Sequence, residues 1–135
     1  MTSKTIRILY WVLTILFSVA MLMDGYGGIS QQEAGKEVLR HLGYPMYTLI
    51  IFGIAKVIGA IIILQTKFKT IKEWAYAGFT INFIGAAASR AFMGDGIGLI
   101  VMPLIILFIM FLSYWLWKKF EQTKNLKQQT KVPAI

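Results

Sequence analysis

The sequence contains no cysteine, a single histidine (His41) and only six acidic residues among its 135. Without cysteine, the chain has no disulfide framework, CxxC redox pair, thiolate zinc site, iron–sulfur cluster or covalently attached haem. With one histidine, a single chain does not supply bis-histidine haem ligation or a multi-histidine metal centre, although an oligomer could bring copies together. We therefore predict no intrinsic cofactor and no metal site.

Charged residues are also scarce, at 15% of the chain, whereas hydrophobic residues make up 57%. Soluble domains contain roughly 25% charged residues, and a chain of this length has too small a core to bury so much apolar surface. A lipid bilayer can accommodate that surface. We therefore predict a membrane protein.

Four apolar stretches each approach the roughly 20 residues that a helix needs to cross a bilayer. The predicted spans are about 6–24, 44–65, 71–93 and 97–117. They predict an all-α four-helix transmembrane bundle over residues 1–117. Helix-like charge patterning from Asp24 to Gly43 predicts a short amphipathic interfacial helix between spans 1 and 2. Residues 118–135 are polar and lysine-rich, which predicts a solvated cytoplasmic tail.

Positive charge is distributed unevenly around the spans. Most lysines and arginines precede span 1, lie between spans 2 and 3 or follow span 4, which predicts that both termini face the cytoplasm. The net charge of +8 is then explained by the lysines and arginines on the cytoplasmic side. The sequence contains no nucleic-acid recognition motif, so nucleic-acid binding is not predicted. A cleavable signal peptide ending at Ser18-Val19-Ala20 is the alternative for the N-terminus, but the apolar run continues through Met23.

Polar residues within the spans are the main functional candidates, because charges in the hydrocarbon are costly. At about 1.5 Å rise per residue, Lys56 of span 2 and Asn82 of span 3 lie at similar depths near the middle of the membrane. Arg90 and Asp24, near the outer ends of spans 3 and 1, form a second possible level. We expect these residues to line a narrow, partly polar cavity with one central cation. A cavity of this kind suits an anionic or amphipathic molecule, a quinone-like headgroup, or a proton or ion step.

Small and polar residues recur at helical spacing in three spans, a pattern that lets membrane helices approach closely. We therefore expect spans 1, 2 and 3 to meet along these faces, with Lys56 and Asn82 inside the bundle. Span 4, with Ser113 as its interior polar residue, is expected to form an apolar wall. The stripes are Thr14, Ser18, Met21 and Gly25 in span 1, Gly53, Lys56 and Ala60 in span 2, and Gly78, Asn82, Gly85 and Ser89 in span 3.

Each candidate also has a structural interpretation. Lys56 could pair with Asp24 or a loosened carbonyl, and Asn82 could join helices. Arg90 could extend outward to the headgroups. The predicted ligand-binding residues are Lys56, Asn82, Arg90, Asp24 and Ser89, and the predicted structural or interface residues are Glu73, Trp74, Tyr76, Gly78 and Gly85.

No catalytic residues are predicted. The acidic residues lie at opposite membrane faces, which argues against a paired-carboxylate mechanism, and His41 is expected to be solvated, away from Ser18 and Ser89. Glu73 is expected at the inner edge, where Lys69, Lys72 or the tail could pair with it. Gly94-Asp95-Gly96 predicts an ordinary turn after span 3.

Three motifs, in this order and spacing, resemble the DoxX-like family of small bacterial membrane proteins. They are His41-Leu42-Gly43-Tyr44-Pro45, Gly53-Ile54-Ala55-Lys56-Val57-Ile58-Gly59-Ala60 and Lys72-Glu73-Trp74-Ala75-Tyr76-Ala77-Gly78-Phe79. The resemblance extends through Gly85-Ala86 to Gly94-Asp95 and covers about residues 8–117. It implies a bacterial inner-membrane protein of unassigned activity, since most members of the family have none assigned. Related DoxX proteins are associated with membrane sulfur or quinone redox, or with membrane oxidoreductase complexes.

The resemblance also bears on single residues. Lys56 matches the lysine expected in span 2, whereas Asn82 stands where an acidic residue is expected and Arg90 where a histidine is expected. Asparagine does not titrate and arginine stays protonated, so a fixed binding charge fits better than proton transfer.

Three functions are therefore open. The favoured one is a binding or accessory subunit that holds a lipid or quinone in a small intramembrane polar pocket. The first alternative is a subunit of a quinone-linked oxidoreductase whose redox centre lies on a partner, and the second is a small transporter formed by self-association. The expected surroundings are the lipid bilayer, with no nucleic acid.

Overall fold

The computed structural model describes residues 2–131, with side chains through residue 126. Every regular element in this part of the chain is a helix, which confirms the all-α prediction. The helices are α1 (Ser3–Ile29), α2 (Glu33–Leu42), α3 (Tyr47–Leu64), α4 (Lys69–Phe92) and α5 (Ile97–Lys131).

The helix ends follow from local sequence. The Thr2 side chain caps α1 by accepting a hydrogen bond from the N–H of Thr5 at 3.2 Å, as is common at helix starts. α2 ends at Gly43 and α4 is followed by Gly94, both at positive φ (82° and 73°), which glycine adopts without steric cost. The helix predicted between spans 1 and 2 and the predicted glycine turn are thus confirmed. The interfacial position of α2 stays a prediction.

Among the residues that the structure describes, three helical segments are long and apolar enough to cross a membrane: Ser3–Ile29, Tyr47–Leu64 and Ile97–Leu126. α4 corresponds to the third predicted span and has 24 residues, which is long enough. It is more polar than the other three, because it contains charged residues near both ends and Asn82 in the middle. The structure therefore shows a membrane protein with three span-capable helices and one more polar helix of similar length.

The four long helices form a ring. α1 packs against α3 and α5, and α4 completes the ring by packing against the same two helices, while α2 contacts α3. In the centre, the ring of Phe17 from α1 meets Phe79 and Phe83 of α4 edge-on, with centroids 5.2 and 6.2 Å apart. Large apolar side chains such as Ile81, Phe92 and Phe108 are exposed on the outside, as expected where lipid is the solvent.

α1 and α3 approach most closely at glycine. A Cβ atom on Gly53 would lie 2.7 Å from the carbonyl oxygen of Gly25, and one on Gly28 would lie 2.8 Å from the carbonyl oxygen of Leu49. Only glycine allows this backbone contact. The expectation that spans 1 and 2 meet along small residues agrees with this contact.

The small-residue stripe of span 3 does not point into the bundle. Cβ atoms on Gly78 and Gly85 would meet nothing within 4 Å, so neither glycine forms the expected close helix contact. The buried face of α4 instead carries Tyr76, Phe79 and Phe83. A helix buries one face, and here the aromatic side chains fill the centre of the ring, which turns the glycines outward.

α5 continues past residue 117, where the sequence predicts a tail to begin. The Phe120 ring stacks on Tyr10 of α1 with centroids 5.0 Å apart, and Glu121 is buried and forms an ion pair with Lys69 at 2.9 Å. The first turn of the predicted tail is therefore packed against the bundle. Residues 132–135 lie outside the described residues.

Candidate functional site

Lys56 lies in the middle of α3, and its ammonium group forms an ion pair and hydrogen bond with the carboxylate of Asp24 on α1. The two side chains are partly accessible, at 23% for Lys56 and 57% for Asp24. The structure thus matches the sequence-based alternative in which Lys56 pairs with Asp24. The second level predicted from Asp24 and Arg90 is not formed, since Arg90 has a different partner.

A groove runs along the outside of the bundle between α3 and α4, with a volume of about 360 Å³. Its walls are almost entirely apolar, and its polar side chains are Lys56 and Asn82. Gly59 forms part of its floor, where a Cβ atom would lie 2.8 Å from the Phe79 ring. Trp74 stands at the mouth and is 72% exposed. We call this cavity the α3–α4 groove.

The α3–α4 groove explains the outward glycine face of α4. Gly78 lines the groove, and the missing side chain leaves room beside Asn82. Lys56 and Asn82 therefore do share one cavity, as predicted from their similar depth. That cavity lies at the side of the bundle and not in its interior, which is a correction to the predicted placement.

A second cavity, of about 260 Å³, lies among the end of α1, α2 and the start of α3. Asp24, Gln32 and Lys56 contribute its polar side chains, and Gly27, Gly28 and Gly35 are among its small residues. We call it the α2 pocket. Lys56 and Phe52 line both cavities, so the ammonium group stands at the boundary between the apolar groove and the more polar pocket.

Arg90 and Ser89 belong to a separate cluster at the α2 end of the bundle. His41 Nε2 donates to Asp95 at 2.5 Å, and Arg90 donates to the other oxygen of the same carboxylate at 3.2 Å. These two hydrogen bonds hold the pKa of the Asp95 carboxyl below its usual range, and the hydrogen bond from His41 has the larger effect. His41 is exposed, with 48% of its side-chain surface accessible, as expected, and the turn after α4 brings Asp95 beside it.

Ser89 joins the same end of the bundle to the start of α3. Its hydroxyl proton goes to the Gly85 carbonyl at 2.8 Å, so the Tyr44 hydroxyl donates to Ser89 at 2.5 Å. Ser89 and Arg90 line neither the α3–α4 groove nor the α2 pocket. The structure therefore separates two of the predicted ligand-binding residues from the other three.

At the opposite end, Lys72 of α4 is completely buried, with 0% of its surface exposed. Its ammonium group donates to the Tyr10 hydroxyl and, at 3.3 Å, to the Gln65 carbonyl. It also lies 4.8 Å from the centroid of the Tyr10 ring and 5.0 Å from that of Trp117, within the range of cation–π attraction. We call Tyr10, Gln65, Lys72 and Trp117 the Lys72 cage.

The predicted structural residues of α4 lie around this end. Glu73 pairs with Lys118 and accepts a hydrogen bond from Tyr114 at 2.9 Å, so the predicted pairing with the start of the tail is confirmed. Tyr76 is buried and lies 3.3 Å from the Ser113 hydroxyl. Trp74, in contrast, contributes to no buried interface and faces outward at the groove mouth.

Sequence reasoning missed the Lys72 cage and the His41–Asp95 contact. Lys72 lies next to a basic connection and was counted there as a topological charge, and its cage partners are distant in the chain. Asp95 was read as part of a turn. An aromatic residue in each of two predicted spans, Tyr10 and Trp117, was a weak signal for a buried cation.

Comparisons with known proteins agree with the family resemblance. The chain matches no curated protein and no solved structure. A model of the DoxX-like family matches residues 12–113, a segment that contains Asp24, Lys56 and Asn82 and therefore the polar residues of the α3–α4 groove. The match covers most of the chain, and the protein belongs to the DoxX-like family.

Proposed function

We propose that this protein crosses the bacterial inner membrane four times, with both termini in the cytoplasm, and binds a small amphipathic molecule in the α3–α4 groove. It acts as a binding or accessory subunit. The observation that carries the proposal is the groove itself, whose volume of about 360 Å³ falls in the range of small-molecule sites, roughly 300–1,000 Å³.

The chemistry of the groove supports an amphipathic ligand. Apolar walls favour a hydrocarbon or ring system, because each buried CH₂ group contributes about 0.8 kcal/mol. Lys56 and Asn82 supply N–H donors that can orient an oxygen acceptor. Half-buried donors at one place in an apolar cavity are typical of ligand sites.

The pairing of polar groups supports α4 as the fourth span. Charged residues within a membrane protein are tolerated when they pair inside the bundle. In α4, Glu73 pairs with Lys118 and Arg90 with Asp95, and Lys72 is enclosed by its cage. α4 also lies between α3 and α5, two helices that are apolar enough to span.

Single cysteines test this topology, because the chain has none of its own. We expect Gly96→Cys, in the turn after α4, to react with a membrane-impermeant thiol reagent in intact cells, and Thr66→Cys, before α4, to react only after permeabilisation. Reaction of both from the same side would show that α4 does not cross the membrane.

Filling the groove tests the binding proposal. Gly78 lines the groove and Gly85 does not, and at both positions a Cβ atom would have free space. We therefore expect Gly78→Leu to lose the molecule that mass spectrometry detects in protein purified from native membranes, and the matched control Gly85→Leu to retain it. Equal retention by the two variants would refute the proposal.

A quinone is a second candidate ligand. Aromatic side chains of Phe52, Trp74 and Phe79 line the groove, and such side chains can stack on a planar ring. The protein would then be a subunit of a quinone-linked oxidoreductase, with the redox centre on its partner. Detection of quinone in the wild type and its loss in Gly78→Leu would favour this candidate over a lipid.

A further inference from the structure

The α3–α4 groove and the α2 pocket are neighbours that share two lining residues, Lys56 and Phe52. The groove is apolar, whereas the pocket contains the side chains of Asp24 and Gln32. A molecule with an apolar chain in the groove and a polar headgroup in the pocket would place that headgroup against the Lys56–Asp24 pair. The charges and hydrogen-bonding groups of Lys56 and Asp24 therefore determine which headgroups can bind there.

The Lys56–Asp24 pair has unused hydrogen-bonding capacity. Within residues 2–126, the bond between the two side chains is the only hydrogen bond that either of them makes. A lysine ammonium group has three donors, and a carboxylate accepts through two oxygens. Both side chains are accessible enough for a headgroup to reach them, so the pair can bind a further donor and a further acceptor at once.

The signs of the two charges discriminate among headgroups. An anionic headgroup would be attracted by Lys56 and repelled by Asp24, and a cationic headgroup would meet the opposite combination. A zwitterionic headgroup with its phosphate at Lys56 and its amine at Asp24 is attracted by both. Specificity of this kind comes from repulsion of the wrong ligand as much as from attraction of the right one.

We propose that the ligand of the α3–α4 groove is a zwitterionic lipid with a primary amine, of the phosphatidylethanolamine class, with its headgroup in the α2 pocket. The proposal rests on the proposed function. A primary ammonium has N–H donors for Asp24, whereas a quaternary choline has none.

Competition among lipids with identical acyl chains tests this proposal. The purified full chain is incubated with equimolar phosphatidylethanolamine, phosphatidylcholine and phosphatidylglycerol, and bound lipid is counted by native mass spectrometry. We expect the wild type to prefer phosphatidylethanolamine by roughly 1.4-fold to fivefold, the range for a partly exposed ion pair. Asp24→Asn should reverse the preference toward anionic phosphatidylglycerol, because Lys56 is then unopposed.

Two controls make the outcome specific. Glu37→Gln removes a carboxylate that pairs with Arg40 on the surface of α2 and lines neither cavity, so it should leave the preference unchanged. Soluble glycerophosphoethanolamine should not displace the lipid. Displacement at equal concentration would show that the acyl chains contribute nothing and would overturn the proposal.

Different outcomes would refute this inference and the proposed function. Wild-type protein that holds lipid without headgroup preference, and loses it in Gly78→Leu, would refute the zwitterion alone. An Asp24→Asn variant with wild-type preference would do the same. Equal lipid retention by Gly78→Leu and Gly85→Leu would refute the groove as a binding site altogether.

Discussion

Two lysines lie within helices of the bundle, Lys72 near the start of α4 and Lys56 in the middle of α3, and they differ in burial and in the number of their partners. Lys72 is enclosed, with two oxygen acceptors and two aromatic faces around its ammonium group. Lys56 has one partner and borders two cavities. The proposal of a binding role for Lys56 and not for Lys72 rests on this difference, because Lys56 has unused hydrogen-bonding capacity and cavities beside it.

The helices around the two lysines are also packed differently. Around Lys72, side chains fill the space between α1, α4 and α5. Around Lys56, α1 and α3 touch through the backbone at Gly25 and Gly53, which leaves few side chains to fill the surroundings. The close backbone contact between Gly25 and Gly53 therefore lies beside two cavities, the α3–α4 groove and the α2 pocket, that side chains of the protein do not fill.

The largest effect on stability is expected from disrupting the backbone contact between α1 and α3. In Gly53→Leu, the new side chain would collide with the Gly25 carbonyl oxygen and the Ile29 nitrogen, both backbone atoms that cannot move aside. We expect a loss of about 3 kcal/mol or more in the free energy of unfolding, at the upper end for overpacking. Thermal unfolding in detergent, with Gly85→Leu as the matched control, measures it. Equal melting temperatures would refute the close α1–α3 contact.

The next largest effect is expected at Lys72. Lys72→Met keeps the aliphatic stem but removes the amine, which leaves the Tyr10 hydroxyl and the Gln65 carbonyl without their donor. Leaving buried polar groups unpaired costs about 1–3 kcal/mol. The control is Lys67→Met, because Lys67 is exposed on the neighbouring connection. A variant as stable as this control would show that the cage does not stabilise the fold.

A smaller, pH-dependent effect is expected at Asp95, which is only 8% exposed. Its pKa is lower in the folded protein than the ordinary value of 3.8, so its contribution is present above that value and is lost as the pH falls through the folded-state pKa. Asp95→Asn should lower the melting temperature by a few degrees at neutral pH. The difference from wild type should diminish as the pH falls below 3.8 and vanish below the folded-state pKa, and a difference independent of pH would contradict this.

The smallest effect on stability is expected at Lys56. Lys56→Leu removes a partly exposed ion pair, which contributes about 0–1 kcal/mol, so the fold should remain intact while ligand retention is abolished. Circular dichroism, thermal unfolding and mass spectrometry of the purified variant measure the two effects separately. A loss of stability comparable with that of Lys72→Met would make Lys56 structural, as would undiminished ligand retention.

The sequence was sufficient for the helices because their signals are local. The lengths of the apolar runs identified the long helices without knowledge of the packing. Gly43 and Gly94 identified two of the helix ends. The depth of Lys56 and Asn82 followed from the helical rise alone, and the two residues do line one cavity.

The sequence was insufficient where a side chain depends on distant partners. Lys72 and Tyr10 are 62 residues apart in the chain, and no local pattern indicates that they meet. The outward face of α4 was also missed, because a glycine stripe and an aromatic stripe run side by side on that helix. Which stripe is buried depends on the space left by Phe17 of α1.

Exposed Ile71 and Trp74 line the α3–α4 groove on the outside of the bundle, the side that would face lipid in the proposed four-span arrangement. A molecule that enters there arrives by two-dimensional diffusion within a leaflet, without passing through water. Its occupancy is then governed by its mole fraction among the surrounding lipids, so a change in membrane composition would alter the bound state even when the concentration of every soluble metabolite stays constant.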